Sequence, residues 1–259
     1  MKMRLALAQM QIIPGDLPGN LKIAKEMITA AVAQNAELIL LPELWSSGYD
    51  LSQATIHSAA NHEITETISI LARKHHIWIG GSLLEDRNGK VFNTFSLINS
   101  QGNRHASYNK IHLFRLMDED RWLNAGDSPI TTQLHCGKTG LAICYDLRFP
   151  ELFRHYALAD AHLILIVAEW PLIRMDHWRT LLRARAIENQ LFIAAVNAVG
   201  DSAGTVMGGQ SMLIDPWGEI VAEGSPSEEQ LITAELDFDL VDQVRQTIPA
   251  LTDRRQDIY

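Results

Sequence analysis

Short apolar runs alternate with amphipathic stretches along the whole chain. Leu5 to Gln9 reads as a strand, Leu17 to Gly19 as loop, and Asn20 to Asn35 as a helix. In that helix Leu21, Ala24, Met27, Ile28, Ala31 and Val32 recur at helical spacing, and Asn20 is a candidate cap. Leu38 to Leu41 is a second buried strand, stopped by Pro42-Glu43. Ile64 to His75 has Ile64, Ile68, Leu71 and Ala72 on one helical face. Ile77 to Gly80 follows as a strand. Ser82 to Glu85 and Val91 to Asn99 flank Asn88-Gly89, a hairpin signal because both central residues of the tight turn need positive φ. Arg104 to Asn109 returns as a strand and ends at Lys110.

The second half replays this order. Leu141 to Ile143 is a strand, Tyr145 to Phe149 a turn, and Pro150 to Ala159 a helix. Leu163 to Val167 is a strand ending at Glu169-Trp170, Trp178 to Asn189 a helix, and Leu191 to Val196 a strand. Gln210 to Ile214 and Glu219 to Glu223 flank the turn Pro216-Trp217-Gly218. Ala36-Glu37-Leu38-Ile39-Leu40-Leu41 and Ala161-His162-Leu163-Ile164-Leu165-Ile166 occupy matching places. With no linker between the halves, residues 1–259 form a single α/β domain, and residues 237–259 read as a polar C-terminal arm on the surface or against a partner. Two half-sheets packed face to face with helices outside give a four-layer α-β-β-α sandwich; one doubly wound sheet has the same periodicity.

Composition narrows the function. The formal net charge of −9 argues against a nucleic-acid or anionic-membrane partner. The apolar runs are far shorter than the roughly 20 residues of a membrane-spanning helix, and Arg4-Leu5-Ala6-Leu7-Ala8 is too short for a signal-peptide core. The two cysteines, Cys136 and Cys144, form no C-x-x-C pattern. That disfavours a disulfide scaffold or a thiolate metal site and fits a reducing cytoplasm. Gly80-Gly81 and Gly208-Gly209 continue into neither phosphate-binding glycine pattern.

Three reactive side chains follow predicted strands: Glu43, Lys110 and Cys144. Ligand sites in α/β folds gather at the carboxyl ends of strands. Cys144 lies between a strand end and Pro150, which suits the first position of a helix. Brought together, the carboxylate accepts the thiol proton, the sulfur attacks a carbonyl, and the ammonium steadies the oxyanion. Singly, Glu43 and Lys110 read equally well as solvated charges, and Cys144 as a small buried hydrophobe.

Leu41-Pro42-Glu43-Leu44, Tyr108-Asn109-Lys110-Ile111-His112-Leu113-Phe114 and Ile143-Cys144-Tyr145-Asp146-Leu147-Arg148-Phe149-Pro150-Glu151 resemble the three signature segments of the nitrilase superfamily of carbon–nitrogen hydrolases, in order and spacing. The resemblance extends through Arg183-Ala184-Arg185-Ala186-Ile187-Glu188-Asn189 and Asp215-Pro216-Trp217-Gly218-Glu219. It implies the α-β-β-α sandwich, a Glu-Lys-Cys triad with neither metal nor organic cofactor, and a homodimer or higher homo-oligomer. Cys144 matches the nucleophile, Glu43 the general base and Lys110 the oxyanion stabiliser. The backbone N–H of Tyr145 is the matching second oxyanion donor, and Glu119 matches the second glutamate of amidase-type members.

Within that superfamily the chain looks most like the omega-amidase branch, through Asn109 to Arg115, Cys144 to Pro150, and Glu169-Trp170-Pro171 with His177-Trp178. The implied reaction is hydrolysis of the terminal amide of a small carboxylic acid such as 2-oxoglutaramate, through a thioester, to acid and ammonia. An N-carbamoyl amino acid or another small amide is the alternative within the superfamily. A substrate carboxylate needs a local arginine, for which Arg115 and Arg148 are candidates, and Trp170 offers an apolar wall. Two readings from other classes are a Cys-His hydrolase using His112 or His177 and a non-catalytic interaction protein that keeps the fold.

Overall fold

The structure is a computed structural model that describes residues 1–258. In chain order its elements begin β1 (Lys2–Gln9), α1 (Leu17–Ala33), β2 (Leu38–Leu40), α2 (Ala54–His75), β3 (Trp78–Arg87), β4 (Lys90–Ile98) and β5 (Arg104–Asn109). They continue with the one-turn α3 (Glu119–Trp122), β6 (Thr131–Leu134), β7 (Gly137–Ile143), α4 (Pro150–Leu158), β8 (Ala161–Ala168), α5 (Met175–Asn189) and β9 (Phe192–Asn197). The chain closes with β10 (Val199–Ser202), β11 (Thr205–Gly208), β12 (Met212–Ile214), β13 (Ile220–Glu223), β14 (Gln230–Asp237) and α6 (Asp239–Thr247).

Two six-stranded sheets result, ordered β14-β1-β2-β3-β4-β5 and β13-β12-β9-β8-β7-β6, beside a small β10-β11 hairpin. In each, three central strands run parallel and the outer strands antiparallel. The repeat seen in the sequence is therefore topological: β7, β8, β9, β12 and β13 retrace β1 to β5, with α4 and α5 in place of α1 and α2.

Period-two alternation sets the layers. Met3, Leu5 and Leu7 of β1 join Leu141, Ile143, Leu163 and Leu165 in the core between the sheets. The intervening Ala6 and Ala8 join Ala24, Ile28 and Ala31 of α1 and Ile64, Ile68 and Ala72 of α2 in a second core on the outer face. Phe153, Tyr156, Leu182 and Ala186 of α4 and α5 cover the other sheet. The layers are α-β-β-α, as expected.

Several boundaries differ from the sequence reading. Leu17 to Gly19 is helix, because Asp16 caps α1 by accepting from the Gly19 N–H and Pro18 fits the first turn. Asn20, the expected cap, is buried and binds Ile13 and Ser46 backbone groups, pinning the loop after β2. Helix α2 starts ten residues before Ile64, at Ala54, on a polar stretch whose packing overrides its weak pattern. The expected arm at 237–259 is not all arm. Phe238, Val241 and Val244 are buried, Phe238 packs on Phe192, and Arg245 binds Asp160. Tyr259, at the end of that expected arm, lies outside the described residues.

Candidate active site

Strand ends assemble the site. Glu43 follows β2, Lys110 follows β5, Cys144 follows β7, and Glu169 follows β8, which pairs in parallel with β7. All four side chains are buried, as is that of Glu119 at the start of α3. Two of the turns hold non-glycine residues at positive φ: Leu44, next to Glu43, and Cys144 itself, each at +44°. Such a conformation costs about 1–3 kcal/mol and persists only where the surroundings impose it. Around Cys144 they do. Buried Asp146 accepts from the Ile143 N–H at 3.0 Å, from the Tyr108 hydroxyl at 2.7 Å and from the His112 N–H at 3.0 Å. The thiol is thus held on a kink between a strand and a 3-10 turn over Cys144–Arg148.

The charges form one network. Lys110 Nζ donates to Glu43 Oε1 at 2.7 Å and to Glu119 Oε1 at 2.6 Å. Glu43 also accepts from Asn93 Nδ2 at 2.8 Å and from the Glu169 N–H at 3.0 Å. Glu119 accepts from the Tyr49 hydroxyl at 2.6 Å and the Phe114 N–H at 2.7 Å. Burial pulls the Lys110 ammonium down, but Glu119 and Glu43 outweigh it and hold the pKa well above the ordinary lysine value. Burial, then the charge of Glu43, pushes the Cys144 thiol up, against the pull of Lys110. The resting nucleophile is therefore a thiol, and a carboxylate beside it is the group able to take its proton.

The cleft above Cys144 is lined by Tyr49, Phe114, Tyr145, Arg148, Glu169, Trp170, Pro171 and Arg174. Arg148 lies over the Trp170 ring at 4.7 Å, and Arg174 over the Phe114 ring at 5.7 Å. Trp170 is buried and anchored through Nε1 to the Arg174 carbonyl at 2.9 Å.

The structure brings together Glu43, Lys110, Cys144, Glu119, Tyr145, Arg148 and Trp170. It does not bring Arg115 with them. That side chain is exposed and lines a neighbouring groove with Leu116 and Asp120, because the 3-10 turn Arg115–Met117 projects it away from the cleft. The second arginine in the cleft is Arg174 instead. Tyr49 and Arg174 are not indicated by the sequence reading; Glu169 is given no role there, although its strand-end position and the Glu169-Trp170-Pro171 segment both point to it. Neither His112 nor His177 lines the cleft. His112 is bound to Asp146 and stacked on Phe149 at 3.6 Å, and His177 bonds Arg148 at 3.3 Å. The Cys-His reading thus lacks its geometry, and no group of His, Cys, Asp and Glu among the described residues is arranged to hold a metal ion.

Residues 4–246 match the family model described as carbon-nitrogen hydrolase. The 2-oxoglutaramate amidase of Bacillus subtilis (strain 168) is 40% identical over 263 residues, covering 100% of both chains. An omega-amidase of Homo sapiens is 34% identical over 269 residues, covering 99% of this chain and 96% of its own. Among solved structures, a mutant amidase from Nesterenkonia sp. AN1 superposes with a TM-score of 0.89 at 28% identity, covering 99% of this chain and 95% of that one. It shows covalent addition of the acetamide moiety of fluoroacetamide at its active-site cysteine.

Proposed function

The chain belongs to the carbon–nitrogen hydrolase family, and from that premise we propose that it is a cysteine-dependent omega-amidase, releasing ammonia from the terminal amide of a small carboxylic acid such as 2-oxoglutaramate. The observation that carries this reading is the buried Lys110 held between Glu43 and Glu119 at the foot of the cleft that Cys144 lines.

Glu43 takes the thiol proton as sulfur attacks the amide carbon. The oxyanion forms against Lys110 Nζ and the backbone N–H of Tyr145. The proton passes from Glu43 to the amide nitrogen, the C–N bond breaks, ammonia leaves, and a thioester remains on Cys144. Water, deprotonated by Glu43, then attacks the thioester; the C–S bond breaks and the thiol is restored. Glu119 holds the Lys110 ammonium in place rather than meeting the nucleophile. Arg148 and Arg174 suit the free carboxylate, a role for which the exposed Arg115 is badly placed, and Trp170 walls the acyl chain. None of these steps requires a metal or an organic cofactor.

A homodimer or higher homo-oligomer in the cytoplasm belongs to the same reading. Exposed Leu158, Ile187 and Trp217 supply apolar surface for self-association, and both cysteines are free. No helix among the described residues is long and apolar enough to cross a membrane. The deciding experiment is an ammonia-release screen over 2-oxoglutaramate, glutaramate, succinamate, glutamine and N-carbamoyl amino acids. Turnover confined to the N-carbamoyl compounds would replace the omega-amidase reading.

A further inference from the structure

Glu43 and Glu119 are accounted for by their bonds to Lys110, but Glu169 is not. Its backbone serves the nucleophile: the N–H is bound to Glu43, and the carbonyl accepts from the Cys144 thiol at 3.9 Å. Its side chain is 1% exposed yet lines the cleft. Oε2 accepts from the Ser202 hydroxyl at 3.2 Å, while Oε1 is buried with no hydrogen-bond partner among the described residues. Buried polar atoms in native proteins are nearly always satisfied, so an unmatched one in a reaction cleft points to the bound substrate. Burial, then the charge of Glu43, raises this carboxyl well above the usual carboxylate range, against the pull of Ser202 and Lys110, and favours its protonated form. With the Ser202 hydroxyl donating to Oε2, Oε1 is the oxygen free to carry the acid proton.

The place of this donor in the cleft identifies its target. Glu169 touches the sulfur through its own carbonyl, and the next side chain, Trp170, is tied to Arg174. The Glu169 side chain shares the cleft lining with Cys144 and with Arg148 and Arg174, the arginines that suit the distal carboxylate. We propose that Glu169 is a specificity-determining residue that donates from Oε1 to a carbonyl oxygen next to the substrate carboxylate, selecting 2-oxo acid ω-amides over those with a methylene or an ammonium there. A methylene leaves the donor unmatched. An ammonium presents only donors and a positive charge to an O–H and two guanidiniums.

This inference rests on the amidase reading and is tested by a substrate–variant cycle. Ammonia release gives kcat/KM for 2-oxoglutaramate and for glutaramate, which lacks the oxo group, in the wild type and in Glu169→Met, Glu169→Gln and Ser202→Ala. Glu169→Met is expected to lose on the order of 10-fold or more on 2-oxoglutaramate and less than about 3-fold on glutaramate. Glu169→Gln keeps an N–H donor and restores most of the preference. Ser202→Ala no longer fixes the proton and lowers the preference several-fold; it also serves if the methionine variant does not fold. Equal losses on both substrates, or a preference unchanged in both Glu169→Met and Ser202→Ala, would overturn the inference. Failure of the wild type to release ammonia from either compound would instead overturn the omega-amidase reading itself.

Discussion

Replacing Lys110 by Met tests the core of the site, because two separable effects follow. The first is catalytic. Removing one preorganised oxyanion donor typically costs about 2.7–4 kcal/mol of transition-state stabilisation, or about 10²–10³ in kcat. That contact acts mainly in the transition state, so KM should change little. The second effect is on stability. The Lys110 ammonium, 1% exposed, pairs with two fully buried carboxylates. Breaking a buried pair by removing one partner costs about 3–5 kcal/mol. Here the lower end is expected. Glu43 keeps Asn93 and the Glu169 N–H, and Glu119 keeps Tyr49 and the Phe114 N–H. Burial already raises the Glu119 pKa, so this carboxyl is the ready one to accept a proton when the cation is gone. A loss of about 3 kcal/mol lowers Tm by roughly 6–12 °C for a chain of this size and leaves the protein folded at 25 °C. Steady-state ammonia release measures the first effect, and urea unfolding the second. The double variant Lys110→Met/Glu119→Gln should recover part of the stability and none of the activity. A Lys110→Met enzyme within about 10-fold of wild-type kcat would refute the oxyanion role.

Other outcomes follow from the same geometry. Denaturing mass spectrometry during turnover should find an acyl adduct on Cys144; Cys144→Ala should be folded and inactive, Cys136→Ala active, and an active Cys144→Ala would end the covalent scheme. Arg148→Gln should raise KM for the free-acid amide by roughly 10-fold, the scale of a charge-assisted hydrogen bond, and barely affect the methyl ester, whereas Arg115→Gln should change neither by more than about 3-fold. Glu169 has a pKa raised above its ordinary 4.5, so between these values the native state holds a proton that the unfolded chain has lost. Stability then falls as pH rises above about 4.5, by up to about 1.4 kcal/mol per pH unit. Glu169→Gln removes that slope, so its gain in Tm over wild type should grow as pH rises above 4.5; a gain independent of pH would show that Glu169 is ionised in the native protein.

The parts of the fold legible in the sequence were those whose burial is periodic. Leu38 to Leu40 and Leu163 to Val167 are buried throughout, and Asn88-Gly89 takes the positive φ values its turn demands. Strand β14 was missed because only Ile232 and Leu236 of its residues are buried: it forms a sheet edge, where one-sided packing needs no clean alternation. The β10-β11 hairpin was missed because its four-residue strands carry too few apolar positions to show alternation, and α6 because only Val241 and Val244 of its residues are buried. In the site, Glu43, Lys110 and Cys144 could be read because each follows a strand and sits in a signature segment. Tyr49 and Arg174 could not. Tyr49 enters the cleft from a loop and Arg174 from the 3-10 turn Leu172–Arg174, and which side chain such a segment turns inward is decided by packing rather than by spacing. Arg115 shows the converse: nearness in sequence to Lys110 did not survive the turn at Arg115–Met117.

The pairing of β14 with β1 bears on how the chain is made. Lys2 stands opposite Asp237 and Gln9 opposite Gln230, so the outer neighbour of the first strand is synthesised after every other strand of both sheets. Until then the emerging N-terminal half carries an open β edge, the kind of template that recruits foreign strands. Salt bridges from Lys2 and Arg4 to Glu235 place charges along that edge. Positive side chains there discourage intruders while the nascent chain waits, and the glutamate of the rightful strand matches them when it arrives.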